Sequence, residues 1–169
     1  MIRVVALAAL LLAPPAALAE GGPRADPERV RLCRDGAGAG DTTPSCIGAA
    51  AGACQEAAGG ATTAGIMACL DSETAAWDAM LNEEYGLLRG DLRAEDAAAA
   101  GKSLVSRSDA MRDAQRAWIA FRDADCALRW SMWQDGTIRG PVAARCLLDH
   151  TARRTLELRD LRRDGEGSL

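Results

Sequence analysis

The sequence predicts an all-α protein: a small helical bundle of about four helices, braced by disulfides, behind a loosely ordered N-terminal segment. Three observations predict it. From Ser45 onward Ala, Leu, Met and Arg dominate, β-branched residues are few, and the two-residue alternation of a half-buried strand is absent. An even set of six cysteines follows a secretory leader, which reads as a disulfide framework. Three separate segments place mixed polar and apolar side chains on single stripes at helical spacing.

Residues 1–19, "MIRVVALAALLLAPPAALA", have the parts of a signal peptide: a positive charge at Arg3, an apolar run, and the small-residue site Ala17-Leu18-Ala19. The run is about ten residues, too short for a helix to cross a bilayer core of about 30 Å. Cleavage before Glu20 gives a periplasmic or secreted chain, and no later segment reads as a membrane span. The formal charge of −4 becomes −5 once Arg3 is lost. A negative balance argues against nucleic acid, which basic clusters neutralise, and favours approach to a basic partner.

The cysteines are Cys33, Cys46, Cys54, Cys69, Cys126 and Cys146. None forms a C-x-x-C pair, so no zinc or thioredoxin-type centre is expected. Six cysteines allow 15 connectivities, and the spacing leaves them open. Sequential pairing would close three short loops, each worth about 3 kcal/mol in the chain-entropy model.

Residues 20–44, rich in Gly, Pro, Asp and Arg, read as the loosely ordered N-terminal segment held by Cys33 and Cys46. Its "GAGAGD" run lacks the G-x-G-x-x-G spacing and a preceding strand, so it reads as a loop. Residues 45–163 form the helical domain. An Ala-rich helix over 45–58 ends at Gly59-Gly60. A long helix over 63–92 carries a break near Asp71, and another over 95–133 breaks at Gly101. The loop "QDGTIRG" then leads to a helix over 141–163, with Pro141 in its first turn. Residues 164–169 are a C-terminal tail.

In "AQRAWIAFRDADC", Gln115, Trp118, Arg122 and Cys126 share one stripe. Asp78, Leu81, Asn82 and Tyr85 share a second, and Leu147, Thr151, Arg154 and Leu158 a third. Large apolar groups mixed with one or two polar ones predict that the three helices face one another, with polar groups satisfied across the interface. A buried Arg122 requires a carboxylate partner, and Asp78 or Asp125 is the candidate.

These motifs resemble the small exported lysozyme-inhibitor family typified by the N-terminal domain of LprI. The resemblance rests on Cys54…Cys69, Asp78-x-x-Leu81-Asn82-x-x-Tyr85, the central "AQRAWIAFRDADC", and Cys146-Leu147-x-x-x-Thr151-x-x-Arg154-Thr155-x-x-Leu158. It covers about residues 50–161 and implies a small α-helical bundle, with lysozyme as the partner implied by the family name. Members often carry an acidic residue before the second cysteine of the first pair, where this chain has Gly65 in "TTAGIMAC". The Cys33/Cys46 pair and the Gly-rich segment before it look like additions.

An enzyme is not expected, and neither a cofactor nor a metal. The sole histidine, His150, sits in a helix-rich chain without a nucleophile elbow, and H-E-x-x-H and EF-hand patterns are absent. Gln115, Trp118 and Arg122 read as structural, as do Asp78, Asn82, Tyr85, Thr151 and Arg154. Partner binding is expected instead at Arg139 in "QDGTIRG" and at Trp130 and Trp133 just before it, since Trp and Arg dominate binding hot spots. The alternative is an envelope structural or stress protein that never meets a lysozyme, which would show a smooth polar surface there.

Overall fold

Side-chain caps open three of the helices. Asp26 accepts a hydrogen bond from Glu28 N at 2.9 Å, and Pro27 follows at the first helical position, where its missing N–H costs nothing. Thr62 accepts from Gly65 N at 3.0 Å, and Ser106 from Asp109 N at 3.2 Å. The computed structural model describes residues 22–99, 105–133 and 135–166. Its helices are α1 (Pro27–Gly36), α2 (Ala49–Gln55), α3 (Thr63–Ala98), α4 (Arg107–Ser131) and α5 (Arg139–Glu166), and the described residues contain no strand. None of these helices is long and apolar enough to cross a membrane.

Among the described residues the bundle therefore has five helices, the extra one being α1, inside the segment expected to be loosely ordered. Its start signal, Asp26-Pro27-Glu28, was legible, but the surrounding glycines masked it. Val30 and Cys33 of α1 are buried in the main core. Helix α3 runs through Asp71 without the expected break, and α5 extends into the expected tail. The leader and Gly101 lie outside the described residues.

Helices α3 and α5 pair along their lengths and form the spine. α1 and α2 cover the first half of α3, while α4 packs on α5 and on the second half of α3. The main core joins Val30, Ala51, Leu70, Trp77, Leu148 and Leu156. A second cluster joins Leu81, Leu88, Met111 and Leu158, with Tyr85 and Trp118 against it. Trp77 is fully enclosed, and removal of such a side chain typically costs about 3–5 kcal/mol.

Glu73 and Arg159 are charged residues locked into this core. The Glu73 carboxylate, on α3, accepts from Gly48 N at 2.8 Å, Ala51 N at 2.6 Å and Trp77 Nε1 at 3.3 Å. It thereby satisfies the first amides of α2, which has no capping side chain of its own. Arg159, on α5, is 2% exposed and donates to the carbonyls of Arg34, Ala37 and Gly38 at 2.6, 3.2 and 3.2 Å. Gly65 has a steric reason: a Cβ there would run into the backbone of Gly59 and Gly60. The turn that ends α2 lies directly on the start of α3, so the departure at this position belongs to packing.

Candidate functional site

The disulfides are sequential: Cys33–Cys46, Cys54–Cys69 and Cys126–Cys146. The first ties α1 to the chain entering α2, and the second ties α2 to α3. The third joins α4 to α5 close to the loop between them, so it fixes the end of that helical hairpin.

The central stripe faces α5, as its spacing predicted, but its partners differ. Gln115 is buried and accepts from Arg154 Nε at 3.0 Å. Two guanidiniums approach the Trp118 ring, that of Arg122 at 5.0 Å and that of Arg154 at 5.9 Å from its centroid. Cation–π contacts of this kind are worth about 0.5–1 kcal/mol at exposed sites. Arg154 also reaches Glu157 at 3.1 Å. Arg122 does not meet Asp78 or Asp125. It pairs with its neighbour Asp123 at 2.8 Å, and that carboxylate is exposed. The expectation of a buried Arg122 is corrected: its guanidinium lies on Trp118 at the rim, and the deeply buried arginine is Arg159.

The second stripe also splits. Asp78 accepts from Asn82 Nδ2 at 3.0 Å on an exposed surface, while Tyr85 turns toward the second cluster with Arg89 over its ring. From α5, Thr151 is fully buried.

Asp125 serves the α4–α5 hairpin. Its Oδ2 lies 3.0 Å from His150 Nε2 and accepts from Arg129 Nε at 2.9 Å. The His150 bond, then that of Arg129, holds the Asp125 carboxyl below the usual carboxylate value. Asp125, Cys126, Cys146 and His150 bring four donor atoms within 4.8 Å of one another. Two of them are joined as a disulfide and are not thiolate ligands, which leaves one carboxylate and one imidazole, fewer than a structural metal site uses.

The surface beyond this hairpin exposes several large apolar side chains. Trp130, Trp133 and Ile138 are 42%, 51% and 49% exposed, and Met132 between them is 73% exposed. The Arg139 guanidinium lies over the Trp130 ring at 4.9 Å. The structure thus brings together the three residues expected to bind, at one end of the bundle. A cleft of about 480 Å³ opens beside this tip, with Ile66, Leu70 and Ile138 among its apolar walls and Arg129, Arg145 and Arg153 among its polar ones. Arg145 is held by Asp149 at 2.9 Å. The cleft was not foreseen, because its walls come from α2, α3, α4 and α5 at wide sequence separation.

The family model described as "Lysozyme inhibitor LprI" matches residues 54–158, which include two of the disulfides, the Arg154–Gln115 contact and the tip. An uncharacterised protein of Rhizobium meliloti (strain 1021), R02472, is 32% identical over 100 residues, covering 58% of this chain and 72% of that protein. No solved structure matches the chain.

Proposed function

Because the chain belongs to the lysozyme inhibitor LprI family, we propose that it is an exported protein, periplasmic or secreted, that binds and inhibits a lysozyme and catalyses no reaction itself. Residues 1–19 are its export signal, and the product begins at Glu20.

The observation that carries the reading to a surface is the tip between α4 and α5, where Arg139 stacks on Trp130 beside exposed Met132, Trp133 and Ile138. Large rigid side chains that are already solvent-exposed lose little freedom on binding, and a guanidinium held on an indole is pre-oriented. Lysozyme clefts carry two carboxylates. A cation at the tip, with the arginines of the neighbouring cleft behind it, complements such a pair. The charge of −5 left after loss of Arg3 meanwhile attracts a basic lysozyme from a distance. The Cys126–Cys146 bridge keeps the tip rigid through the encounter.

The test is lysis of a cell-wall suspension by an animal-type lysozyme in the presence of the mature protein. Near-stoichiometric slowing is expected, weaker in Arg139→Ala and Trp133→Ala at an unchanged melting midpoint. Added salt should slow association, since exposed charges are screened over about 8–10 Å at physiological ionic strength. No slowing at large molar excess, at low salt and with disulfides intact, refutes inhibition of this enzyme class. Inhibition unchanged by both substitutions moves the site away from the tip.

A further inference from the structure

The end of the α4–α5 hairpin gathers two sulfurs, a carboxylate and an imidazole. The sulfurs of Cys126 and Cys146, a carboxylate oxygen of Asp125 and a ring nitrogen of His150 all lie within 4.8 Å of one another. Asp125 Oδ2 is 3.0 Å from His150 Nε2 and 3.6 Å from Cys146 Sγ. Helical spacing builds the group. His150 follows Cys146 by four residues on α5, so the two share a face, and Asp125 directly precedes Cys126 on α4. Both cysteines are buried, while His150 and Asp125 are half-buried. Arg129 Nε holds the Asp125 carboxylate at 2.9 Å, and Phe121 packs edge-on against the His150 ring at 5.5 Å, so both outer groups are already oriented. Cys146 and His150 also line the cleft of about 480 Å³, which gives an ion a way in. No linear motif announces the group, because two helices supply it.

In the oxidised chain the two sulfurs are bonded to each other and ligate nothing. We propose that when the Cys126–Cys146 bridge is open, these four residues form a tetrahedral zinc site. Two thiolates, one imidazole and one carboxylate are a donor set that suits zinc. Metal–ligand bonds of about 2.0–2.3 Å set tetrahedral donors about 3.3–3.8 Å apart. The Asp125–His150 and Asp125–Cys146 separations of 3.0 and 3.6 Å are already close to that spacing. The sulfurs reach it by rotation about their own side-chain bonds, from Cα atoms 5.5 Å apart. A dithiol supplies the two electrons that open the bridge. Its thiolate attacks one sulfur, its second thiol resolves the mixed disulfide, and it leaves as a cyclic disulfide, its two protons ending on Cys126 and Cys146. Zinc then displaces those protons. The same donors exist in a chain whose bridge has not yet closed. The ion takes over the task of the bridge, fixing the same end of the hairpin beside the Trp130–Arg139 tip, whatever that tip binds.

The test uses the full mature chain and zinc chloride, with bound zinc counted after equilibrium dialysis. The oxidised protein should bind none at this site. Cys126→Ser removes only this bridge, keeps the other two disulfides, and leaves Cys146, His150 and Asp125 as three ligands with water as the fourth. It should bind one zinc per chain with no reductant present, and zinc should raise its melting midpoint while leaving that of the oxidised wild type unchanged. Adding His150→Ala or Asp125→Asn should weaken this binding at least tenfold, since even the partners that orient a ligand are worth about 10–100-fold. Wild type opened with a phosphine, which does not compete for the metal as a thiol would, should take up one zinc more than the Cys126→Ser/Cys146→Ser double variant treated alike. No zinc on Cys126→Ser, binding there that is indifferent to both His150→Ala and Asp125→Asn, or equal uptake by the reduced wild type and the reduced double variant overturns the proposal.

Discussion

The Arg159 guanidinium donates to the Arg34 carbonyl at 2.6 Å, tying the last long helix to the end of the first. Ala37 and Gly38 offer their carbonyls to the same group, so one side chain satisfies the frayed C-terminus of α1. The carbonyls provide partial negative charge where the helix dipole already places it. Asp160, at 2.8 Å, supplies the full counter-charge. This is how an N-terminal segment full of glycine is held against the bundle.

Arg159→Met should therefore cost about 3–5 kcal/mol, since it leaves buried carbonyls without donors while preserving most of the volume. In a domain of this size that lowers Tm by about 10 °C. Amide hydrogen exchange should show α1 losing protection ahead of α3 and α5. A variant with wild-type Tm and a protected α1 would mean that Arg159 is replaceable by water or neighbouring groups.

Arg122→Ala should behave very differently. Its carboxylate partner is the exposed Asp123, so no buried charge is orphaned. The loss is that of a surface ion pair and a cation–π contact with Trp118, together about 1 kcal/mol, and salt should reduce it further. Arg154→Ala should cost more than Arg122→Ala, because it leaves the buried Gln115 amide without its donor. Thermal melts of the two variants in parallel decide the order, and a larger loss for Arg122→Ala would contradict the geometry.

Acid should loosen α4 first. Asp96, near the end of α3, accepts from Ser108 N at 3.1 Å, Arg107 N at 2.9 Å and Ser106 Oγ at 2.9 Å, and so caps the start of α4. The backbone bonds from Ser108 and then Arg107 lower its carboxyl below the ordinary 3.8. The His150 and Arg129 bonds lower Asp125 likewise, toward the other end of α4. Both folded-state values are depressed. The stability they confer is therefore complete above the unfolded value and is lost as pH falls below about 3.8 through the folded values. Asp96→Asn should flatten this acid limb and lower stability at neutral pH, as read from denaturant midpoints across pH. An unchanged limb in Asp96→Asn would remove that carboxylate from the transition.

Helical periodicity was a reliable guide wherever local signals agreed. The four expected helices correspond to α2, α3, α4 and α5, although residues 95–98, expected to open the third, instead end α3, and α4 begins only at Arg107; Pro141 falls in the first turn of α5. The candidate tip was also legible, because Trp130, Trp133 and Arg139 crowd around one loop. Arg122 misled because helical spacing says which side chains share a face, not how deep that face lies. Trp118 fills the place at the α4–α5 interface and keeps the guanidinium at the rim.

By itself, the sequence determined the helical class, the oxidised cysteine framework and the family, because these rest on local periodicity, on compartment chemistry and on motifs in a fixed order. Only the tertiary structure decided the rest. It chose sequential pairing from the connectivities left open, because helix packing brings each pair of cysteines together. It made Glu73 the cap of α2 and Arg159 the cap of α1, across separations of 22 and 125 residues. It also left Phe121 and Leu128 of α4 more than half exposed. Amphipathic spacing fixes which residues travel together around a helix. Which of two apolar faces is covered depends on what the neighbouring helices can reach.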